Sequence, residues 1–372
     1  MKIHIITGHF YPQLHPRAFR ANELAIEFAR RGHDVSVTNC WKIKGFDYDE
    51  YGRKNNIRIS NLNLFITSAE GISNSSSSKS QNKLKKFVKN YFFAGSFFFR
   101  GPRIAQEVKI DSDTDLVIAL STPFTCVYGV SRYLKKHGKR CVAIADSGDP
   151  FYNSQQSPKA IWFKHIEKSV YKQYDYLTIP TENAIPLYAP MIDREKIKII
   201  PQGFNMDNLN LYKGDFEGPI RIAYAGVFYR DIRNPEFLFR HLASVKKKFE
   251  LHLFMRERDT MVDEYIEKYP SLKGKVFVTS LPHDKLLYEL SRMHFLVNIE
   301  NLSNTQLPSK LIDYGMAGRP IFSCNSTNFS PEKLNRFIDG DYSGEFEVDV
   351  KRYNIKHIAD EFLELYCMKL NK

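Results

Sequence analysis

The feature that most limits the fold is a repeated alternation of short apolar runs with longer amphipathic segments. The run "KIHIIT" is followed by "RAFRANELAIEFARRG", whose apolar residues recur at helical spacing, and then by "HDVSVTN". Further apolar runs, among them "DLVIALS", "RCVAIA" and "DYLTIP", are separated by segments of the same amphipathic kind. Short buried strands that alternate with helices are typical of a parallel sheet with helices on both faces.

The same alternation begins again in the second half of the chain, which predicts a second domain. The strands expected there are "IRIAYAG", "LHLFM", "VFVTS", "HFLVNIE" and "PIFSC". The polar, aperiodic stretch 201–218 separates the two series and is typical of a linker. We therefore predict an α/β protein with two doubly wound, Rossmann-like domains facing across a cleft, formed by residues 1–203 and 204–350. The C-terminal helix, in residues 351–372, either stays on the second domain or crosses back to the first.

Charge and cysteine content narrow the choice of partner and compartment. A formal net charge of +12 favours an acidic partner: nucleic acid, an anionic membrane surface or a phosphorylated substrate. No apolar run approaches the roughly 20 residues that span a bilayer, and the opening "MKIHIITGHFYP" lacks the pattern of a signal peptide. The five cysteines are scattered without CxxC pairs, which suits a reducing compartment. We expect a cytoplasmic protein, either soluble or peripheral on the inner face of the cell membrane.

Residues 82–100 combine lysines with a dense run of aromatic side chains, "NKLKKFVKNYFFAGSFFFR". One interpretation is an interfacial helix, in which the lysines meet anionic headgroups and the aromatic rings enter the acyl boundary. The other is an ordinary amphipathic helix whose phenylalanines belong to the core. A nucleic-acid partner is not expected, because no RNP, zinc-finger or helix-turn-helix signature accompanies the charge.

Candidate ligand-binding side chains follow the strands, because ligands of open α/β sheets bind beyond the carboxyl ends of the strands. The loop after the first strand, "TGHFYPQLHPRAFR", has no GxGxxG pattern, so no dinucleotide cofactor is expected. It offers His15, Arg17 and Arg20, which form either a helix-capping loop or an anion site at a helix start. Asp146 and Asp149, in "DSGDPF", are either turn formers or carboxylates that bind sugar hydroxyls.

In the second half, "YAGVFYRDIRNPEF" follows a predicted strand and ends at a predicted helix. Gly226 allows the backbone to approach a ligand closely. Arg230 and Arg233 stand just before the helix. These two arginines are therefore candidates for binding a phosphate group.

The stretch "NTQLPSKLIDYGMAGRPIF" (304–322) places polar groups at the start of another helix. Ser309 and Lys310 offer a hydroxyl and an ammonium group in the first turn, and Asp313 lies one turn further on. Basic residues at two strand ends would converge on a diphosphate, and Asp313 would accept hydrogen bonds from a ribose diol. The alternative is a capped helix with incidental charges.

At these residues the chain resembles the GT-B glycosyltransferases, of the retaining family 4 kind that builds bacterial surface polysaccharides. The resemblance runs almost end to end, and "LPSKLIDYGMAGRPIF" is its most specific part. The other matching stretches are "HFYPQLHPRAFRANELAIEFARRGHDVSVTN", "DSGDPF", "KIKIIPQGFNMD" and "YAGVFYRDIRNP".

The resemblance implies a nucleotide-sugar donor, a UDP-sugar being favoured, held mainly by the second domain. Arg233 and Lys310 would correspond to the basic pair of the family that binds the diphosphate, with Arg230 as a competitor for the first position. Gly226 and Ser309 would complete the donor site around them.

The family's Glu-x7-Glu motif places its second carboxylate on the ribose, and that position matches Asp313. The position of the first glutamate, which touches the transferred sugar, is occupied by Thr305. Glu300, Asn304 or Gln306 could take over that contact.

The resemblance also implies an acceptor, either a glycan or a lipid-linked saccharide, bound by the first domain around His15, Arg17, Arg20 and Asp146. Neither a metal nor another cofactor is expected, because Arg233, Lys310 and a helix end would neutralise the leaving group. The family's glycine pair is replaced by His15-Pro16-Arg17 in the first loop.

Three other functions remain open. An inverting transferase or a sugar epimerase would have the same architecture, and an inverting enzyme needs a general base, for which His15, Asp149 and Glu182 are candidates. A catalytically inactive homologue that binds within a polysaccharide assembly complex is the third. If the protein is a retaining transferase, Asp149 is a catalytic candidate together with Arg233 and Lys310.

Overall fold

The apolar runs of the sequence form two parallel sheets in the computed structural model. The structure describes residues 1–13, 15–67, 88, 90–94, 97–153, 159–207, 209–300 and 310–371. The chain divides into two compact units. The first comprises Met1–Asn205 and Arg352–Lys372, and the second comprises Met206–Lys351.

The sheet of the first unit is parallel throughout and has the order β3-β2-β1-β4-β5-β6-β7 among the described strands. Its strands are β1 (Lys2–Thr7), β2 (Asp34–Ile43), β3 (Arg58–Thr67), β4 (Leu116–Leu120), β5 (Val142–Asp146), β6 (Tyr176–Ile179) and β7 (Ile197–Ile199). Every residue of β4, β5 and β6 is buried. Such strands need cover on both faces, which the helices provide.

The helices of the first unit connect and cover these strands. They are α1 (Pro16–Arg30), α2 (Tyr48–Asn55), α3 (Phe97–Glu107), α4 (Phe124–His137), α5 (Trp162–Tyr171), α6 (Ile185–Tyr188) and α12 (Ile355–Leu370). Helix α1 begins at Pro16, whose fixed φ suits a first helical turn. It ends at Arg30, and Gly32 then takes a positive φ of 81°.

The C-terminal helix α12 packs on the first unit. Ile358, Phe362 and Leu365 share one apolar cluster with Phe28 of α1 and Ile118 of β4. The two places where the chain enters and leaves this unit also touch. The N–H of Phe204 donates to the Tyr353 carbonyl at 2.8 Å, and the N–H of Ile355 donates to the Phe204 carbonyl at 2.9 Å.

The second unit has a parallel sheet of order β10-β9-β8-β11-β12 in the described residues. Its strands are β8 (Ile220–Ala225), β9 (Phe249–Phe254), β10 (Val276–Thr279), β11 (Phe295–Ile299) and β12 (Ile321–Cys324). Its helices are α7 (Glu236–Leu242), α8 (Thr260–Lys268), α9 (His283–Ser291), α10 (Lys310–Ala317) and α11 (Pro331–Asp339). The predicted α/β architecture of two Rossmann-like domains is confirmed.

Each sheet reverses its strand order once. In the first unit the chain moves outward through β1, β2 and β3 and then returns to place β4 beside β1. In the second it moves through β8, β9 and β10 and then places β11 beside β8. Ligands of open α/β sheets bind beyond the carboxyl ends of strands at such reversals. A ligand site is therefore expected at the loops after β1, β4, β8 and β11.

Part of the predicted interfacial segment lies outside the described residues, including Lys83, Lys85, Lys86 and Lys89. None of the helices in the described part of the chain combines the length and the apolarity needed to span a bilayer.

Candidate active site

Strands β8 and β11 separate at their carboxyl ends. Their last paired residues are Ala223 and Leu296. Strand β8 nevertheless stays paired with β9 as far as Ala225, and β11 stays paired with β12 as far as Ile299. At the strand reversal of the second unit there is therefore an opening between the ends of β8 and β11, while each strand stays paired with its other neighbour.

Tyr314 of α10 bridges this opening. The backbone N–H of Ala225 donates to the Tyr314 hydroxyl at 2.7 Å, and the hydroxyl donates to the Val297 carbonyl at 3.2 Å. The side chain is fully buried, and burial raises the pKa of its hydroxyl. These two hydrogen bonds fix helix α10 to both strands, so the residues of its first turn are held at the strand ends.

Lys310, the first residue of α10, is buried directly beside the opening. Its ammonium nitrogen lies 3.3 Å from the Ile299 carbonyl oxygen, to which it donates, and 4.4 Å from the centre of the Tyr224 ring. Burial, followed by the charge of Arg233, lowers the pKa of Lys310 well below its ordinary value of 10.5. Among the described residues, no carboxylate acts on the pKa of this group.

Arg233 lies in the β8–α7 loop and is held there by its backbone. Its N–H donates to the Tyr229 carbonyl at 2.9 Å, and the Tyr229 N–H donates back at 3.3 Å. The guanidinium donates to the Val227 carbonyl at 3.3 Å and also interacts with the hydroxyl of Tyr224. Tyr224 thus has Lys310 over its ring and Arg233 at its hydroxyl, which brings the two predicted diphosphate-binding residues to one buried tyrosine.

Arg230 has a different neighbour, although it lies in the same loop. Its guanidinium forms an ion pair with Glu264 of α8, and both side chains are exposed. The charge of Arg233 lowers the pKa of Lys310, whereas Arg230 is not among the groups that act on it. Of the two arginines, Arg233 is therefore the one grouped with Lys310.

Gly226 follows the last residue of β8 and has a φ of +127°. A Cβ at this position would meet the Tyr224 hydroxyl oxygen at 3.5 Å, an ordinary contact. The requirement for glycine therefore comes from the backbone conformation, which other residues rarely adopt, and not from lack of space.

Asp313, Thr305 and Ser309 are further residues predicted for the donor site. Asp313 is half-buried on α10, and its charge acts on the adjacent Tyr314 hydroxyl. Thr305 and Ser309 lie outside the described residues. The roles assigned to all three stay predictions.

Glu300, directly after β11, is held by strand β12 and by the loop that follows it. Its carboxylate accepts hydrogen bonds from Ser323 of β12 at 2.7 Å and from Asn325 and Asn328 of the loop at 3.2 Å and 3.3 Å. These three donors give the carboxylate a structural task. Any contact with a transferred sugar would be additional to it.

In the first unit, Asp146 closes strand β5 and is enclosed by Arg17 and Arg20 of α1. Arg20 donates to both carboxylate oxygens at 2.7 Å, Arg17 forms a second ion pair, and the Thr178 hydroxyl donates at 2.6 Å. Burial alone would raise the pKa of Asp146, but the charges of Arg17 and Arg20 outweigh it and lower the pKa to about 2. Two arginines share one carboxylate, so the cluster keeps a positive charge.

This cluster gives Arg17, Arg20 and Asp146 internal partners that their sequence positions did not reveal. Arg17 also donates to the Ser121 carbonyl at 3.1 Å, and Arg20 to the Ile200 carbonyl at 3.1 Å. The three side chains therefore tie helix α1 to the ends of β4, β5 and β7. Contact of these three residues with an acceptor stays a prediction. Such a contact would use only the polar atoms that these hydrogen bonds leave available.

His15 caps helix α1 and stacks on a second histidine. Its Nδ1 accepts from the Arg17 N–H at 3.2 Å, and its ring centre lies 4.2 Å from that of His9. Burial, followed by the charges of His9 and Arg17, lowers the pKa of His15 to about 4. The imidazole is therefore neutral at pH 7, with its proton on Nε2 because Nδ1 accepts from the Arg17 N–H.

Asp149 and Asp146 differ in exposure although only two residues separate them. The Asp149 side chain is exposed, whereas its carbonyl accepts a hydrogen bond from the Ser147 hydroxyl at 3.0 Å. Of the two carboxylates in "DSGDPF", Asp149 is the one exposed to solvent. Its predicted catalytic role is not tested by this geometry.

Two site residues, Tyr224 and Tyr314, were missed by the sequence reasoning. Both are buried aromatic residues in apolar surroundings, a pattern that in sequence is indistinguishable from core packing. The available signal was positional, because Tyr224 lies at the end of β8, two residues before Gly226, and Tyr314 follows Asp313 in the helix. Among the described residues, no group of three or more His, Cys, Asp or Glu side chains is arranged to hold a metal ion.

No family model matches the chain, and neither does any curated protein. Solved structures match it over nearly its full length. The lipopolysaccharide outer core galactosyltransferase WaaB, in its apo form, is 14% identical with a TM-score of 0.58, and the match covers 99% of this chain and 100% of WaaB. Alr3699/HepE of Anabaena, in complex with UDP, is 11% identical with a TM-score of 0.60, covering 99% and 100% of the two chains.

A UDP-N-acetylglucosamine 2-epimerase is similar as well, with 13% identity, a TM-score of 0.55 and coverage of 100% of this chain and 97% of the epimerase. Identities this low show the fold alone. The fold is the one these structures share, the two-domain GT-B architecture.

Proposed function

We propose that the protein is a glycosyltransferase that moves a sugar from a nucleotide-sugar donor, with a UDP-sugar favoured, to a glycan or lipid-linked acceptor of a cell-surface polysaccharide. The observation that carries the proposal is the meeting of Lys310 and Arg233 at Tyr224, beside the opening between β8 and β11. Two neighbouring cations at the carboxyl ends of parallel strands suit a diphosphate. Similarity to a galactosyltransferase and to a protein solved with UDP supports the same class of ligand.

In the proposed reaction, the donor diphosphate binds against Lys310 and Arg233, and Asp313 accepts hydrogen bonds from the ribose. As the bond to the sugar breaks, negative charge grows on the leaving diphosphate. Cations fixed beforehand stabilise that charge without having to reorganise, an effect worth about 2.7–4 kcal/mol for one donor in comparable oxyanion sites. Transfer proceeds with retention in this proposal. It needs no metal ion, since the two side chains supply the positive charge.

The first unit binds the acceptor in the proposal. Asp149 is exposed in the loop after β5 and is the carboxylate available to an acceptor hydroxyl. His15 is neutral at pH 7 and lies on the β1–α1 loop. Arg17, Arg20 and Asp146 position this loop against the sheet through their mutual ion pairs.

Thermal unfolding in the presence of UDP, GDP, ADP and their sugars tests the donor site. A ligand that binds the native state raises the melting temperature by mass action, and we expect the largest rise from UDP or a UDP-sugar. Lys310→Met is the matched control, in which the rise should disappear. No stabilisation by any of the nucleoside diphosphates would contradict the proposal. Transfer of a radiolabelled sugar from the stabilising donor to lipid-linked saccharides then tests the activity.

An epimerase is the second candidate, because an epimerase is among the similar structures. It would change the nucleotide sugar itself and would need no acceptor. Proton NMR of the nucleotide sugar after incubation without an acceptor separates the two functions. A new sugar configuration in that sample would favour the epimerase.

A further inference from the structure

Part of the surface of the first unit is apolar and aromatic. It is formed by three short stretches: residues 92–93, residues 98–99 of α3, and residues 161–162 at the start of α5. We call the following six exposed side chains the aromatic patch: Phe92, Phe93, Phe98, Phe99, Ile161 and Trp162. The most exposed are Phe99 at 77% and Phe93 at 56%. Contiguous exposed apolar side chains of this size mark an interaction site more often than chance.

The three stretches are joined by direct contacts. The rings of Phe92 and Trp162 stack with centres 5.5 Å apart, and the N–H of Ala160 donates to the Tyr91 carbonyl at 3.0 Å. Phe98 and Trp162 both contact the buried Phe163, at ring-centre distances of 5.7 Å and 6.2 Å. The patch is therefore one surface that rests on the core.

Helix α3, which carries part of this surface, also contributes to the core. Each of the two interpretations of its sequence therefore fits part of its side chains. Phe97 is buried and packs on Phe124, Phe151 and Phe163. Its neighbours Phe98 and Phe99 are exposed. A helix that only covered the core would keep one aromatic face inward, whereas this one presents aromatic side chains on both faces.

The sequence around the aromatic patch is strongly basic. Between Glu70 and Glu107 there is no acidic residue, while there are seven basic ones: Lys79, Lys83, Lys85, Lys86, Lys89, Arg100 and Arg103. In and around α5, Lys164, Lys168 and Lys172 follow Trp162. The one carboxylate of that helix, Glu167, is buried and accepts from the N–H groups of Phe151 and Tyr152.

We propose that the aromatic patch inserts into the interfacial region of an anionic lipid bilayer. Aromatic side chains favour the boundary between headgroups and acyl chains, and lysines such as Lys164 and Lys168, which follow Trp162 on α5, are attracted to anionic headgroups. A protein partner fits less well, because lysine is depleted in protein–protein interfaces whereas it dominates the charge here. The inference concerns the first unit alone and does not depend on the transferase activity.

Sedimentation with vesicles tests the inference on the full chain. We expect binding to vesicles that contain phosphatidylglycerol, weaker binding to pure phosphatidylcholine, and loss of binding in high salt. The double variant Phe93→Ser/Phe99→Ser should bind anionic vesicles at least about tenfold more weakly, because it removes the two most exposed rings. Phe277→Ser is the matched control, an exposed phenylalanine of the second unit, and it should bind as the wild type does.

Tryptophan fluorescence gives a second readout, since the chain has two tryptophans of unlike exposure. Trp162 is 42% exposed, whereas Trp41 is 8% exposed. Anionic vesicles should shift the emission to shorter wavelength, and brominated lipids should quench it. Both changes should disappear in Trp162→Phe, which retains Trp41.

Unchanged vesicle binding by Phe93→Ser/Phe99→Ser, with its fold verified by circular dichroism, would overturn the inference. So would a dimer seen by analytical ultracentrifugation that depends on Phe93 and Phe99 in a protein that does not bind vesicles, since a second copy of the chain would then cover the patch. Failure of these tests would leave the proposed donor site untouched, because nucleotide binding is measured separately.

Discussion

Lys310 holds its ammonium nitrogen 4.4 Å from the centre of the Tyr224 ring, at the carboxyl end of strand β8. The negative face of the ring attracts a cation and offsets part of the cost of burying it. Burial and the charge of Arg233 nevertheless lower the pKa of Lys310 well below 10.5. A bound diphosphate would supply opposite charge to both cations, so donor binding and the protonation of Lys310 should be linked.

The first prediction is that UDP affinity falls with rising pH, starting below the pH at which an ordinary lysine titrates. The anionic diphosphate binds the protonated form of Lys310, so binding raises the pKa of Lys310 and takes up protons as the pH approaches that pKa. The phosphates of UDP keep their charge above about pH 7, because the second phosphate pKa is about 6. Isothermal titration calorimetry from pH 7 to about pH 8.5, where the uracil ring also keeps its proton, should show this loss of affinity.

Two variants make this test specific. Arg233→Gln removes the like charge that lowers the pKa of Lys310, so the pH at which affinity falls should move upward even though binding is weaker. Lys310→Met should bind weakly at every pH in the range. A wild-type affinity independent of pH would show that Lys310 does not contact the diphosphate.

The second prediction separates the two arginines of the β8–α7 loop. Arg233→Ala should lower kcat/KM at least about tenfold, equivalent to about 1.4 kcal/mol, because it removes a cation beside the leaving group. Arg230→Ala should change it little, since Arg230 forms an exposed ion pair with Glu264, and such pairs contribute about 0–1 kcal/mol to stability. Steady-state kinetics of both variants provide the comparison. The reverse ranking would assign the diphosphate to Arg230.

The third prediction concerns Asp313 in the first turn of α10. If it accepts from the ribose hydroxyls, Asp313→Ala should weaken nucleotide binding more than Asp313→Glu, which keeps a carboxylate. Affinities for UDP and for 2′-deoxy-UDP measure this directly. The deoxy ligand should lose affinity in the wild type but hardly in Asp313→Ala. Equal binding of UDP by the wild type and both variants would make Asp313 a helix residue only.

Some strands and one residue pairing of the site could be predicted from the sequence, whereas other elements could not. The strands could be predicted because fully buried runs such as those of β4 and β5 have no other simple interpretation. The grouping of Arg233 with Lys310 follows from one rule, since Arg233 lies in the loop after β8 and Lys310 begins the helix after the adjacent parallel strand β11. Helices α8 and α11 were not among the predicted elements, and the sequence did not distinguish Arg230 from Arg233, because that choice depends on Glu264 of α8.

The remaining roles depend on distant pairings. Asp146 meets Arg17 and Arg20 across more than 120 positions of sequence, so its turn-like context "DSGDPF" concealed a buried ion-pair cluster. Tyr314 bridges β8 and β11 only because those strands separate after Ala223 and Leu296, and strand separation has no signature in a single sequence.

The fourth prediction is that Tyr314→Phe destabilises the second unit by about 1–3 kcal/mol, because the buried Ala225 N–H and Val297 carbonyl would lose their shared partner. Tyr265→Phe is the comparison variant, since its hydroxyl donates to the Asn234 side chain and leaves no backbone group without a partner. Denaturant unfolding measures the free energies. The nucleotide affinity of Tyr314→Phe should also fall, since the hydroxyl fixes the start of α10. Equal stability of the two variants would remove Tyr314 as a support of the site.

The last prediction concerns the ion-pair cluster of the first unit. Asp146→Asn should destabilise the protein by roughly 3–5 kcal/mol, because it leaves Arg17 and Arg20 buried without a counter-charge. Asp149→Asn is the matched control, an exposed carboxylate of the same loop, and should change the free energy of unfolding by less than about 0.5 kcal/mol.

The pH dependence of stability gives the same cluster an independent test. The pKa of Asp146 is about 2 in the folded protein against an ordinary value of 3.8, so the unfolded chain takes up a proton first as the pH falls. The stabilisation by this carboxylate is therefore complete above pH 3.8 and is lost as the pH falls through about 2. Urea unfolding at a series of pH values should show this acid-limb loss in the wild type and in Asp149→Asn. It should be reduced in Asp146→Asn, which has no carboxylate to protonate there. An identical acid limb in all three proteins would mean that other carboxylates control the acid stability and that the Asp146 pKa is not depressed.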